Sequence, residues 1–124
     1  MNPALATRVA AALGFLAVAL GSFGAHGLTD VLGQNGMTTI WEKAVFYHFI
    51  HALGMLAVPL LIRAGLLSES AGTWTGWLLL SGIVLFSGSL YALALSGVTT
   101  LGAITPLGGV AFLVGWVALA IAAF

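Results

Sequence analysis

The sequence predicts an all-α integral membrane protein, a compact antiparallel bundle of four transmembrane helices forming one domain over residues 1–124. Three observations lead there. Apolar residues make up 61% of the chain and charged ones 5%, far from the roughly one-quarter charged content of a soluble domain. Mean hydropathy is +1.18. The apolar residues also fall into four runs, each near the ~20 residues that a helix needs to cross a hydrocarbon core.

The first run covers residues 3–25. Pro3 suits a first helical turn, where its missing N–H has no partner to lose. Arg8, the apolar stretch Val9 to Leu20 and the small residues Gly21 to Ala25 imitate a secretory signal peptide. Three further spans of the same character favour a retained helix instead. An interfacial connection follows over 27–40, with Asp30, Gln34, Asn35 and Gly36; Leu28, Val31 and Leu32 are spaced for a short amphipathic turn on the membrane surface. The second span, 41–62, contains Pro59, which removes one backbone hydrogen bond and is expected to bend the last turn. A polar loop with Glu69 leads to the third span, 74–96, and a short uncharged loop to the fourth, 106–124. Thr105 and Pro106 read as the cap and first turn of that last helix. Trp41, Trp74, Trp77 and Trp116 read as interfacial anchors.

Three Lys and Arg balance three Asp and Glu, so no basic surface exists to attract nucleic acid. With no cysteine, disulfides, thiolate nucleophiles and thiolate metal sites are excluded. Arg8, Arg63 and the terminal amine share one face of the membrane against Lys43 on the other, which by the positive-inside rule places both termini in the cytoplasm.

Helix association in lipid relies on close packing across small residues and on interhelical hydrogen bonds. The first span carries Ala10, Gly14, Ala17, Gly21 and Gly24 at steps of four and three; the third has Ser81, Gly88, Ala92 and Ser96; the fourth has Gly108, Ala111, Gly115, Ala118 and Ala122. These stripes are expected to pack within one chain, with Gly14, Gly21, Gly88, Gly108 and Gly115 as the close contacts. Contact with a second copy is the alternative. Leucine at Gly88 or Gly115 is expected to disrupt assembly.

All three histidines lie between His26 and His51. At about 100° per residue, Lys43, Tyr47, His51 and Gly54 form one strip of the second span, with Ala44, His48 and Met55 beside it and Phe49, Leu53, Leu56 and Leu60 opposite. Antiparallel packing would bring His26, Tyr91 and Thr105 to the same end, so His26, Tyr47, His48, His51, Tyr91 and Thr105 are the candidates for a polar intramembrane pocket. Three chemistries are compatible with it. The side chains could satisfy one another as interhelical glue; they could ligate zinc or haem iron; or a histidine could titrate in a proton, ion, lipid or small-molecule site. The three-residue spacing of His48 and His51 argues against a metal pair. No G-x-S-x-G nucleophile elbow and no phosphate loop are present, so neither a catalytic residue nor a cofactor is assigned.

The strings GSFGAHGL at Gly21 to Leu28, AVFYHFIHALG at Ala44 to Gly54, SGSLYALALSG at Ser87 to Gly97 and GAITPLGGVAFLVGW at Gly102 to Trp116 together resemble the small membrane family called "domain of unknown function 423", whose eukaryotic relatives are named transmembrane protein 256. The resemblance implies a multi-pass protein of the bacterial inner (plasma) membrane, of unestablished biochemical role. It also implies that His26, Tyr47, His51, Tyr91, Thr105 and Pro106 are characteristic positions. The reading adopted is a non-enzymatic binding or assembly component, with membrane lipids and a second copy or another membrane protein as partners. The alternative is a small transporter or an ion- or proton-conducting protein using the region of His26, Tyr47 and His51.

Overall fold

The computed structural model describes residues 1–123; the predicted helix end at Phe124 lies outside them. Helix α1 (Pro3–Ala25) begins at the expected proline, and Asn2 caps it, its side-chain oxygen accepting the Leu5 N–H at 2.8 Å. The interfacial connection folds as a two-turn helix, α2 (Thr29–Asn35), closed by Gly36 in the left-handed conformation at φ 64°, where a side chain would be strained. Helix α3 (Thr38–Arg63) runs through Pro59 without interruption. Helix α4 (Glu69–Gly82) passes through one π turn at Ile83–Ser87 into α5 (Gly88–Ser96), so the third span is continuous from Glu69 to Ser96. A 3₁₀ turn at Thr99–Ala103 leads to α6 (Thr105–Ala122).

Two starts come earlier than the apolar runs suggested, at Thr38 instead of Trp41 and at Glu69 instead of Trp74. At the second, Ser68 accepts the Ala71 N–H at 3.2 Å and Glu69 sits in the first turn, where its charge complements the helix dipole. Polar residues therefore extend the helix beyond its hydrocarbon-crossing part. Thr105 is not the cap of α6: Ile104 holds that position without a side-chain hydrogen bond, and the Thr105 hydroxyl pairs instead with Ser89 Oγ at 2.6 Å.

Four helical segments are long and apolar enough to cross a membrane. Helix α1 packs along α3, α6 packs along α4, and α3 lies beside the α4–α5 span between them. A central cluster of Ala10, Ala52, Met55, Leu79, Ile83 and Phe112 joins all four segments. Towards the α2 end, Leu32, Trp41 and Ala94 form a second cluster, and Ala44, Leu90 and Leu93 a third. The outer surface is as apolar as the interior: Leu60 is 64% and Ile121 81% exposed. Such a surface suits acyl chains and not water.

Glycine marks the closest approaches. A Cβ on Gly108 would collide with the backbone of Phe86, and one on Gly82 with the ring of Phe112; on Gly115 it would stand 3.1 Å from Leu79, and on Gly21 3.3 Å from Val45. Gly14 and Gly88 do not fit the expected pattern, since a Cβ at either would meet nothing within 4 Å. Gly88 directly follows the π turn and has no close neighbour on its Cβ side. Trp41 also departs from its expected place at the interface. It is buried, its indole fills the space left by the absent side chain of Gly24, and its Nε1–H donates to the Leu20 carbonyl at 2.9 Å. Trp74 and Trp77 are exposed. The sequence also gave no sign that Asn35 would close the end of α5, where its Nδ2 donates to the Ala94 and Leu95 carbonyls at 3.0 and 3.2 Å, two acceptors that the helix end leaves free.

Gly108→Ala is expected to destabilise the protein by about 1–3 kcal/mol through overpacking, lowering its midpoint of thermal unfolding in detergent. Gly88→Ala should leave that midpoint unchanged or slightly raised, because alanine is favoured over glycine inside a helix by about 0.5–1 kcal/mol.

Candidate functional site

Residues 48 and 51 are three apart on α3, so their side chains diverge by about 60° around the helix. That divergence sends the two buried histidines to different neighbours. His48 turns towards α5, where its Nδ1 pairs with the Tyr91 hydroxyl at 2.9 Å. Tyr91 packs in turn on Trp41 with ring centroids 4.8 Å apart. Next to this pair, Ser87 Oγ donates to the Ala44 carbonyl at 2.8 Å from inside the π turn. These bonds tie α3 to its neighbours deep in the bundle. His48 Nε2 is enclosed without a hydrogen-bond partner among the described residues, as is Thr75 Oγ1.

His51 turns towards α6. Its Nδ1 lies 2.6 Å from the Tyr47 carbonyl one turn earlier. A carbonyl can only accept, so Nδ1 carries the proton and Nε2 presents its lone pair. The ring is held flat against Phe112, with centroids 3.4 Å apart and planes 10° apart, and Tyr47 and Trp116 stand 5.9 and 6.0 Å away. Trp116 reaches this position because Gly54 has no side chain; a Cβ there would stand 3.1 Å from the indole.

Together these rings wall a cleft of about 410 Å³ between α3, the π turn and α6, lined by Tyr47, His51, Phe86, Pro106, Phe112 and Trp116 with Gly109, Val110 and Leu113. Tyr47 stands at its mouth, 37% exposed. None of the lining residues is Lys, Arg, Asp or Glu. The cleft is a largely aromatic slot whose polar side chains are the His51 imidazole and the Tyr47 hydroxyl.

The six residues proposed for one polar pocket thus occupy four places. Tyr47 and His51 share the cleft, and His48 and Tyr91 form the internal pair. Thr105 is held by Ser89, and His26 is exposed at the end of α1, where its backbone carbonyl accepts the Thr29 hydroxyl. Among the described residues, no three His, Cys, Asp or Glu side chains converge as metal ligands. The aromatic wall of α6 was missed by sequence reasoning, which grouped Trp116 with the interfacial tryptophans although it lies nearer mid-span. A signal did exist: Phe112 and Trp116 repeat on α6 the four-residue spacing of Tyr47 and His51 on α3.

Comparison with known proteins gives a consistent picture. The family model described as "Protein of unknown function (DUF423)" matches residues 20–109, from the end of α1 to the first turn of α6. A UPF0382 membrane protein of Staphylococcus epidermidis is 54% identical over 107 residues, covering 86% of this chain and 84% of its own. The UPF0382 membrane protein YwdK of Bacillus subtilis is 48% identical over 108 residues, covering 87% and 86%. One from Staphylococcus saprophyticus is 50% identical over 109 residues, covering 88% of each. No solved structure matches the chain significantly.

Tyr91→Phe strips His48 Nδ1 of its partner and is expected to cost about 1 kcal/mol, lowering the detergent unfolding midpoint. In a His48→Leu background the same change should cost less, and a double-mutant cycle measures the difference.

Proposed function

We propose, for a chain that belongs to the DUF423 family and whose relatives are named UPF0382 membrane proteins, a non-enzymatic binding role: the cleft between α3 and α6 takes the ring of a lipophilic molecule carrying a hydroxyl. The observation that carries this reading is the state of His51. Its Nδ1 is committed to the Tyr47 carbonyl and its ring is clamped on Phe112, which in the neutral ring leaves Nε2 as a fixed acceptor beside the Tyr47 hydroxyl. In hydrocarbon such an acceptor has no water to pair with, so a hydroxyl delivered by a ligand gains a hydrogen bond that the empty site lacks. Flat walls made by Tyr47, Phe86, Phe112 and Trp116 favour a planar ring by offset stacking.

Conduction through a single protomer finds less support, because the middle of the bundle is the apolar cluster of Met55, Leu79, Ile83 and Phe112. Ions and protons have no polar path through it.

A long-chain alkylphenol and its methyl ether separate the two contributions. The phenol is expected to bind the purified protein more tightly than the ether, read from tryptophan fluorescence with Trp116→Phe as the control. His51→Leu should abolish the preference by removing the acceptor, with about a tenfold change for one hydrogen bond of roughly 1.4 kcal/mol. Acidification should weaken phenol binding, since protonation makes Nε2 a donor. Equal binding of phenol and ether would refute the reading.

We further infer that the protein lies in the bacterial inner membrane with Arg8, Arg63 and both termini in the cytoplasm, following the positive-inside rule. Ser70→Cys, in a chain that has no other cysteine, should then resist a membrane-impermeant maleimide in intact spheroplasts and react after lysis.

A further inference from the structure

We infer that a second cleft, between α1 and α3 at the opposite end of the bundle from His26, binds the phosphate of an anionic phospholipid headgroup. Arg8 lies in the second turn of α1 and Arg63 is the last residue of α3. Because these helices pack antiparallel, both guanidinium groups come to one membrane face. They line a common cleft of about 360 Å³ with Ala4, Thr7, Pro59 and Leu60, and no carboxylate is among its lining residues. Glu69, the acidic residue on this face, stands in the first turn of α4 and does not line the cleft.

Two cations sharing one cleft repel unless an anion lies between them. Thr7 cannot serve as an additional donor, since its hydroxyl already donates to the Pro3 carbonyl at 2.8 Å, so recognition falls to the guanidinium N–H groups. Their planar forks match phosphate oxygens two at a time. A lipid is favoured over a soluble anion by the remaining walls. Ala4, Pro59 and Leu60 are apolar, and Leu60 is exposed on the outer surface of the bundle, so one molecule can place its phosphate between the arginines and its chain against Leu60. Basic clefts between transmembrane helices bind anionic headgroups by this combination. The site shares no residue with the aromatic cleft and does not depend on its ligand.

Native mass spectrometry of the full chain released from mild detergent, with phosphatidylglycerol and phosphatidylcholine added in equal amounts, tests the assignment. Phosphatidylglycerol should be retained in preference, and Arg8→Gln with Arg63→Gln should reduce that preference roughly thirtyfold, the combined effect expected of two surface arginines. Each single change should give a partial loss, and the paired change to lysine, which keeps the charge but not the fork, should retain more of the preference than the glutamine pair and less than the unmodified protein, which separates charge from misfolding. Absence of a preference in the unmodified protein, or an unaltered preference in the glutamine pair, would overturn the proposal. Displacement of the lipid by inorganic phosphate alone at comparable concentration would also overturn it, by assigning the site to a soluble anion.

Discussion

Close backbone approach is the constraint on which this structure depends. Lipid tails are as apolar as leucine, so burying leucine between helices gains little, and stability has to come from dense contact and from hydrogen bonds that the bilayer cannot offer. The chain meets this requirement by omitting side chains where two segments meet. Gly108 lies on the Phe86 backbone, Gly82 lies under the ring of Phe112, and Gly24 admits the indole of Trp41. At each of these points an aromatic residue is the counterpart. The bundle is therefore built by pairing the smallest residues with the largest, which gives broad dispersion contact at short range.

Polar groups inside the bundle follow the same logic. Trp41 donates to Leu20, Ser87 to Ala44, and His48 pairs with Tyr91. Each bond joins two different segments, and two of them end on backbone carbonyls that also serve their own helix. They fix the rotation of α3 against its neighbours, and that rotation decides which histidine looks inward to α5 and which looks to α6. The chemistry of the aromatic cleft is thus downstream of packing on the other side of the same helix.

The sequence was most legible where long-range chemistry was not needed. Four apolar runs located four spans, Pro3 and Pro106 marked helix starts, and the exposed side of α3 at Phe49, Leu53, Leu56 and Leu60 followed from helical spacing. The site was less legible because grouping by membrane depth says nothing about azimuth. His26, His48, His51 and Thr105 share one half of the chain's span yet meet different partners, since a helix distributes neighbours in sequence around its circumference. The glycine stripe of the third span does not mark a contact at Gly88, because small residues at helical spacing define a face without saying whether another helix lies against it. Trp41 was misplaced because an indole near a span end has two stable situations, in the headgroups or against a glycine, and only the position of Gly24 separates them.

The wide turn at Ile83–Ser87 has a consequence for the whole third span. It inserts an additional residue into one revolution, and the neighbours change across it: the segment before it packs on α6 and α3, while the segment after it packs on α3 and α2. One continuous span thereby exchanges α6 for α2 as its second neighbour while staying on α3 throughout. Leu79, Gly82 and Ile83 are buried before the joint and Leu90, Leu93 and Ala94 after it, and the joint itself is where Phe86 lines the aromatic cleft.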